Sequence, residues 1–252
     1  MILGDRLDEL RKNILRDRSD QIAGSSDQLW TDDTLLRYIR DAEHRFARHT
    51  LCIRDATTPS ITQLNMSAGV QLYKLDPSIL SVISSRFDTD VYDMQRSGHS
   101  QMRQFTPAEW LTTTPVAGSA SQTGRPVAYY TDETLVFASQ NAVTFAVFPT
   151  PTILEDGLQM HLRVARLPIG LYSLSNLDEL SEIPEDYQLE CLEWAAYRAQ
   201  RNNDTDAGAA VTADSHRAVF EDAVKRAKND LKRTMFSNVT FRYGTLGTTY
   251  VR

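Results

Sequence analysis

The chain has 252 residues, of which 41% are hydrophobic and 24% charged, enough apolar content to build the core of one large domain or two smaller ones. A formal net charge of −6 argues against a dedicated nucleic-acid binder, whose surface carries a basic excess, yet suits a protein past which DNA must slide without sticking. Two distant cysteines, Cys52 and Cys191, exclude a disulfide framework and a four-cysteine metal site.

Read in chain order, Leu7, Leu10, Ile14 and Leu15 form a helical stripe within Met1–Arg18, whose early charges leave no room for the apolar region of a signal peptide. Gly24-Ser25-Ser26-Asp27 marks a polar break. Trp30-Thr31-Asp32-Asp33 then supplies N-cap chemistry for a helix reaching about Thr50. Leu35, Ile39, Ala42 and Phe46 trace its apolar face, and Arg37, Arg40, Glu43, Arg45 and Arg48 its opposite face. No apolar run anywhere approaches the roughly 20 residues of a membrane span. The N-x-S/T triplets at Asn65, Asn203 and Asn238 carry no weight without a secretory route, and the composition fits a cytosolic pool.

From Ile61 the pattern changes to strands. Ile61–Met66, Val70–Leu75 and Ile79–Ile83 alternate or run apolar, whereas Ser84–Gln104 shows no period and reads as irregular. Thr106-Pro107-Ala108-Glu109 is a capping-box start for a short helix ended by Pro115, and Val116–Gly124 reads as loop. Pro126–Tyr130, Thr134–Phe137, Val143–Phe148 and Leu158–Val164 follow as four closely spaced strands, favouring an antiparallel meander folded as a small sandwich or barrel.

The last quarter returns to helices. Ile183-Pro184-Glu185-Asp186-Tyr187 opens an alanine-rich run ending at Arg201, with Tyr187, Cys191, Trp194, Ala195, Arg198 and Ala199 on one stripe. After a break at Asn202–Gly208, a second run from Thr212 to about Phe236 carries Ala213, Phe220, Ala223, Val224, Ala227, Leu231 and Met235. Two such helices joined by a short polar turn fold into an antiparallel hairpin. Asn238–Arg252 is rich in threonine and aromatics and has no acid, so it reads either as an extra strand or as an arm that docks on a partner.

Catalytic constellations are not evident. The five histidines, His44, His49, His99, His161 and His216, make no H-E-x-x-H pattern, and His161 falls within a strand as a structural histidine. Asp88-Thr89-Asp90-Val91-Tyr92-Asp93 lacks the glycine and closing glutamate of a calcium loop, since its twelfth position is His99. Gly118–Gly124 lacks the Lys-Ser or Lys-Thr of a phosphate loop, and no G-x-S-x-G elbow occurs. No cofactor or metal is therefore expected. Two readings of other kinds stay open: a hydrolase acting on the cell wall, and a carbohydrate- or protein-binding module stacking ligands on Trp110, Tyr129 and Tyr130.

The ordered set of Trp30–Ile39, Leu80–Ile83 leading to Gly124-Arg125-Pro126-Val127-Ala128-Tyr129-Tyr130, Phe148-Pro149-Thr150-Pro151, Arg166-Leu167-Pro168 and Ile183–Tyr187 resembles the adaptor, or head-to-tail connector, proteins of tailed bacteriophages, especially short-tailed ones. The resemblance implies an α+β fold: a helical bundle of residues 1–59 and 168–237, an inserted antiparallel β sandwich or barrel of residues 60–167, and a C-terminal arm of residues 238–252. It implies a non-enzymatic virion protein, assembled in the host cytoplasm into a ring, usually of twelve copies, at the head–tail interface. The ring would sit under the portal, extend the channel through which genomic DNA passes without specific binding, and carry the tail nozzle or tail-fibre proteins; no membrane is involved. Carried onto this chain, the arm residues Val239, Phe241, Arg242, Tyr243, Leu246, Tyr250 and Arg252 would bind the portal. Arg37, Arg40, Arg48, Glu221, Lys225 and Lys228 would line the contact between subunits.

Overall fold

The computed structural model describes residues 1–17, 29–90, 92–96, 123–132, 136–137, 140–141, 144–202 and 207–237. The architecture is α+β and forms two compact units, one of Met1–Cys52 with Gly170–Arg252 and one of Ile53–Ile169.

In the first unit, α1 (Leu3–Glu9) runs on through a π-helical turn, Leu10–Ile14. Leu3, Leu7 and Leu10 are buried, and so are Arg6 and Arg11. Helix α2 (Asp32–Thr50) starts as its sequence requires: the Thr31 hydroxyl accepts the Thr34 N–H at 3.3 Å, and Asp32 and Asp33 face the positive helix end. It stops at Leu51, whose φ of 56° lets its N–H reach the Ala47 carbonyl at 2.7 Å.

Helix α3 (Gln188–Asn202) and helix α4 (Ala207–Ser237) are the predicted pair. Helix α3 carries more than one apolar stripe. Cys191, Leu192, Trp194, Ala195, Ala196, Tyr197 and Ala199 are all buried, because α2 and α4 both press against it. Its alanines are small enough to admit a neighbour on each side. Phe46 of α2 meets Phe220 of α4 at 6.1 Å between ring centres, and Phe220 meets Trp194 at 5.3 Å. Helix α4 begins at Ala207, ahead of the expected Thr212, since Ala207-Gly208-Ala209-Ala210 joins the helix.

The second unit holds the strands: β1 (Arg54–Asp55), β2 (Gln63–Asn65), β3 (Leu72–Lys74), β4 (Ile79–Phe87), β5 (Gln95–Arg96), β6 (Ala128–Asp132), β7 (Val136–Phe137), β8 (Gln140–Asn141), β9 (Thr144–Phe148) and β10 (Gln159–Arg166). Strand β10 is central in one sheet, antiparallel to β4 along one edge and to β2 and β1 along the other. The other sheet runs β3-β9-β6-β5, with β5 parallel to β6 and the remaining pairs antiparallel; β7 and β8 pair with each other. Met66, Val82, Phe87, Tyr129, Phe145, Val147, Met160, Leu162 and Val164 draw both larger sheets into one core cluster.

The strands differ from expectation in three places. Pro59 opens a single helical turn, Pro59–Thr62, so the strand expected from Ile61 is confined to β2. Within Ser84–Gln104, read as irregular, Ser84–Phe87 completes β4 and Gln95–Arg96 forms β5, parallel to β6 where only antiparallel pairs were expected; two register shifts against β10 break the alternation that would have revealed the first. Finally, β10 does not continue a meander from β9 but pairs in the other sheet. The short helix expected after Thr106 and the loop Val116–Gln122 lie outside the described residues.

Candidate functional site

The helical unit is built around a buried polar hub that decides which face of α2 remains outside. Arg6 is only 1% exposed, and its guanidinium pairs with Glu43, donates to the Glu179 carbonyl at 3.1 Å and to the Ile2 carbonyl at 3.3 Å. Glu43 also accepts the Tyr172 hydroxyl at 2.6 Å and the Ser181 hydroxyl at 3.0 Å. Burial, then the Glu43 charge, pushes the Tyr172 phenol far above its ordinary range. Glu43 was expected on the outer face with the arginines, solvated or ion-paired. That reading is corrected: at 3% exposure it faces inward, because an inward arginine from α1 needs a carboxylate. A second inward arginine, Arg11, donates to Asp17 and to the Trp30 carbonyl, both at 2.9 Å, and pairs with Asp32. The N-terminal amine donates to Gln188 at 2.8 Å, tying the chain start to α3.

With Glu43 inside, the outer surface of α2 is basic. Arg37, Arg40 and Arg48 are exposed, and Glu221, Lys225 and Lys228 of α4 are exposed as well. Arg48, Glu221 and Lys228 gather around His49, and Lys225 joins them through Glu221. Burial, then Arg45, Lys228 and Arg48, lowers the His49 pKa, and Glu221 opposes them. Lys225 acts in turn on Glu221, whose carboxylate accepts Arg217 Nε at 2.8 Å. Arg37 shares the Arg48 side of α2 but lies about 16 Å along the axis. The structure thus brings four of the six expected contact residues together and leaves Arg37 and Arg40 further along the same helix. Arg45 is held differently, 3.9 Å over the Trp194 ring, while Trp194 Nε1 donates to Asp41 at 2.9 Å. Among the described residues, Arg37, Arg40, Arg48, Lys225 and Lys228 have no ion-pair partner.

The β unit offers no reaction centre in its described part. Ser85 lies opposite Leu162 in the β4–β10 register, so it faces the core, away from the sheet face that carries His161. Asp88 lies 3.2 Å from His161, and Asp90 pairs with Arg125, so both carboxylates have side-chain neighbours within their own chain. Among the described residues, no group of three or more His, Cys, Asp or Glu is placed to hold a metal. Burial raises the Cys191 thiol well above its ordinary value, which keeps it unreactive. Tyr129 is no ligand platform: it is 1% exposed, stacks on Phe145 at 5.2 Å and donates to the Ile83 carbonyl at 3.3 Å. Tyr130 is half-buried against Ala128 and Phe148, and Trp110 lies outside the described residues. The arm residues Val239, Phe241, Arg242, Tyr243, Leu246, Tyr250 and Arg252 also lie outside them.

One surface feature escaped the sequence reading. Between β9 and β10, the Glu155 N–H reaches the Thr152 carbonyl at 3.1 Å, closing a turn whose central residues, Ile153 and Leu154, are each 82% exposed. The available signal was an aliphatic pair where turn chemistry calls for Pro, Gly, Asn or Asp.

No curated protein matches the sequence. No described helix is long and apolar enough to cross a membrane. The model of the SU10 adaptor protein family matches residues 4–242, through both compact units. With a match of that extent, the chain belongs to the SU10 adaptor protein family and is a structural adaptor component of the bacteriophage virion.

Proposed function

We propose that copies of this chain form a ring, usually of twelve, beneath the portal of the filled capsid. The ring extends the channel for DNA and gives tail nozzle or fibre proteins a platform. The observation that carries this reading is the family match across nearly the whole chain. In it, the helices of residues 1–59 and 168–237 act as a bundle that supplies the subunit-to-subunit wall. The inserted β region, residues 60–167, acts as a sandwich turned outward or toward the tail. The unpaired cations of α2 and α4 support the first role, because an acidic protein that keeps basic side chains together on one helical surface has a partner for them.

The arm, Asn238–Arg252, binds the portal, and rings form only when the portal orders it, so that the pool in the host cytoplasm stays monomeric. Electron microscopy of the purified protein with and without portal protein tests this: rings in the mixture are expected, and a mixture without rings contradicts the reading. Deleting Asn238–Arg252 should abolish portal binding and leave the circular dichroism spectrum unchanged. Portal binding that survives the deletion removes the arm from the mechanism.

A further inference from the structure

The turn that exposes Ile153 and Leu154 is braced on every side. The Glu155 carboxylate accepts the Thr152 N–H at 2.8 Å and also the Thr152 hydroxyl, while the Leu154 N–H donates to that hydroxyl at 3.3 Å. A second turn follows at once, with the Leu158 N–H on the Glu155 carbonyl at 3.1 Å and Gly157 at φ 76°, where glycine carries no strain. The facing loop completes the frame. Gly69 N–H donates to the Pro151 carbonyl, Gly157 N–H to the Met66 carbonyl, and Ala68 N–H to Asp156 Oδ1. A floppy loop could fold its aliphatic side chains away; this one holds them in water.

Such a tip fits an apolar spot on a protein, because a bilayer loop needs aromatic or basic anchors and this one is followed by Glu155 and Asp156. Glu155 is buried with its carboxylate held by Thr152, which leaves Asp156 as the exposed acid of the tip, and it has no ion-pair partner among the described residues. The complement exists on the chain's other unit. Arg48, Lys225 and Lys228 are unpaired there, and Leu51, 39% exposed, sits at the end of α2 beside Arg48. We propose that the Ile153–Leu154 tip of one copy docks on the α2–α4 basic face of the next copy, its aliphatic pair against Leu51 and Asp156 against Arg48 and Lys228. Two different surfaces meeting in this way make a heterologous contact, the kind that closes rings. This rests on the ring reading above and names the surface that the α2–α4 face receives.

Sedimentation equilibrium carried to concentrations far above those of the monomeric pool, where the tip-to-face contact alone pairs copies without closing a ring, tests it with the full chain, an I153S/L154S variant, an R48E/K228E variant and an equimolar mixture of the two variants. All substituted side chains are exposed, so both variants should keep the wild-type circular dichroism spectrum and melting temperature. Each variant alone should self-associate at least about ten-fold more weakly than wild type. The mixture should recover dimers, since an intact tip can meet an intact face once per pair, but nothing larger. Variants that assemble like wild type overturn the contact while leaving the ring reading in place, and assign the tip to a different protein. Weakened variants whose mixture recovers no dimer overturn the head-to-tail pairing. Wild-type protein that stays monomeric at every concentration overturns this contact, and if it also forms no ring with portal protein it overturns the ring reading as well.

Discussion

Two buried ion pairs show how much single residues decide in this chain. Removing Glu43 alone leaves the Arg6 guanidinium buried with no carboxylate, so Glu43→Ala should cost about 3–5 kcal/mol in urea unfolding. The double variant Arg6→Met/Glu43→Leu should regain most of that loss, because the desolvation of both charges disappears with the pair. A double variant as unstable as the single one would mean that the hub also specifies the helix arrangement. In the β unit, Asp55 accepts Thr57 and Thr58 N–H groups at 2.8 and 3.1 Å and Arg166 Nε at 2.7 Å. Burial opposes its charge, but the hydrogen bonds from Thr58, Thr57 and Arg166 outweigh it and hold the carboxyl well below the ordinary carboxylate range. A depressed carboxylate contributes stability above its unfolded pKa, near 4, and loses it as pH falls through the folded value. Melting temperature plotted against pH should therefore fall less steeply below about pH 4 in Asp55→Asn than in wild type.

At the scale of elements, α2 carries both the core and the outer charge, and its two ends are testable separately. Leu51 takes a left-handed conformation that costs an ordinary residue about 1–2 kcal/mol, so Leu51→Gly should raise unfolding free energy by roughly 0.5–1 kcal/mol. Halfway along the helix, burial, then Arg40 and Arg48, lowers the His44 pKa, with Asp41 opposing. A lowered histidine contributes stability above its unfolded value of about 6.5 and loses it as pH drops below that value. His44→Gln should flatten the stability profile between about pH 6.5 and 5, and an unchanged profile would place the dependence elsewhere. Phe220, 1% exposed where α2, α3 and α4 meet, should cost about 3–5 kcal/mol when changed to alanine.

For the whole molecule, charge is the property that matters most. The net charge is −6, yet the cations of α2 and α4 are concentrated on one helical surface. The proposed conduit requires that an acidic wall release its cargo, so double-stranded DNA at about 0.15 M salt should produce no shift in a gel retardation assay. Micromolar retention would point instead to the basic helical surface as a DNA contact.

The chain's own periodicities determined its helices, the Thr31 cap, most of its strands and the helical–β–helical order, because caps, turns and apolar spacing act between residues close in sequence. They also determined which charges α4 shows to solvent. Local pattern was blind where a partner far along the chain sets a residue's fate. Glu43 looks like one charge in a basic stripe until Arg6, Tyr172 and Ser181 meet around it. Strand β10 looks like the next turn of a meander until β4, β2 and β1 claim both its edges. Tyr129 reads as core or as a ligand platform until Phe145 covers it, and nothing local shows that braced turns hold Ile153–Leu154 in water. Burial and strand pairing are decided by long-range contact, and only the tertiary structure contains it.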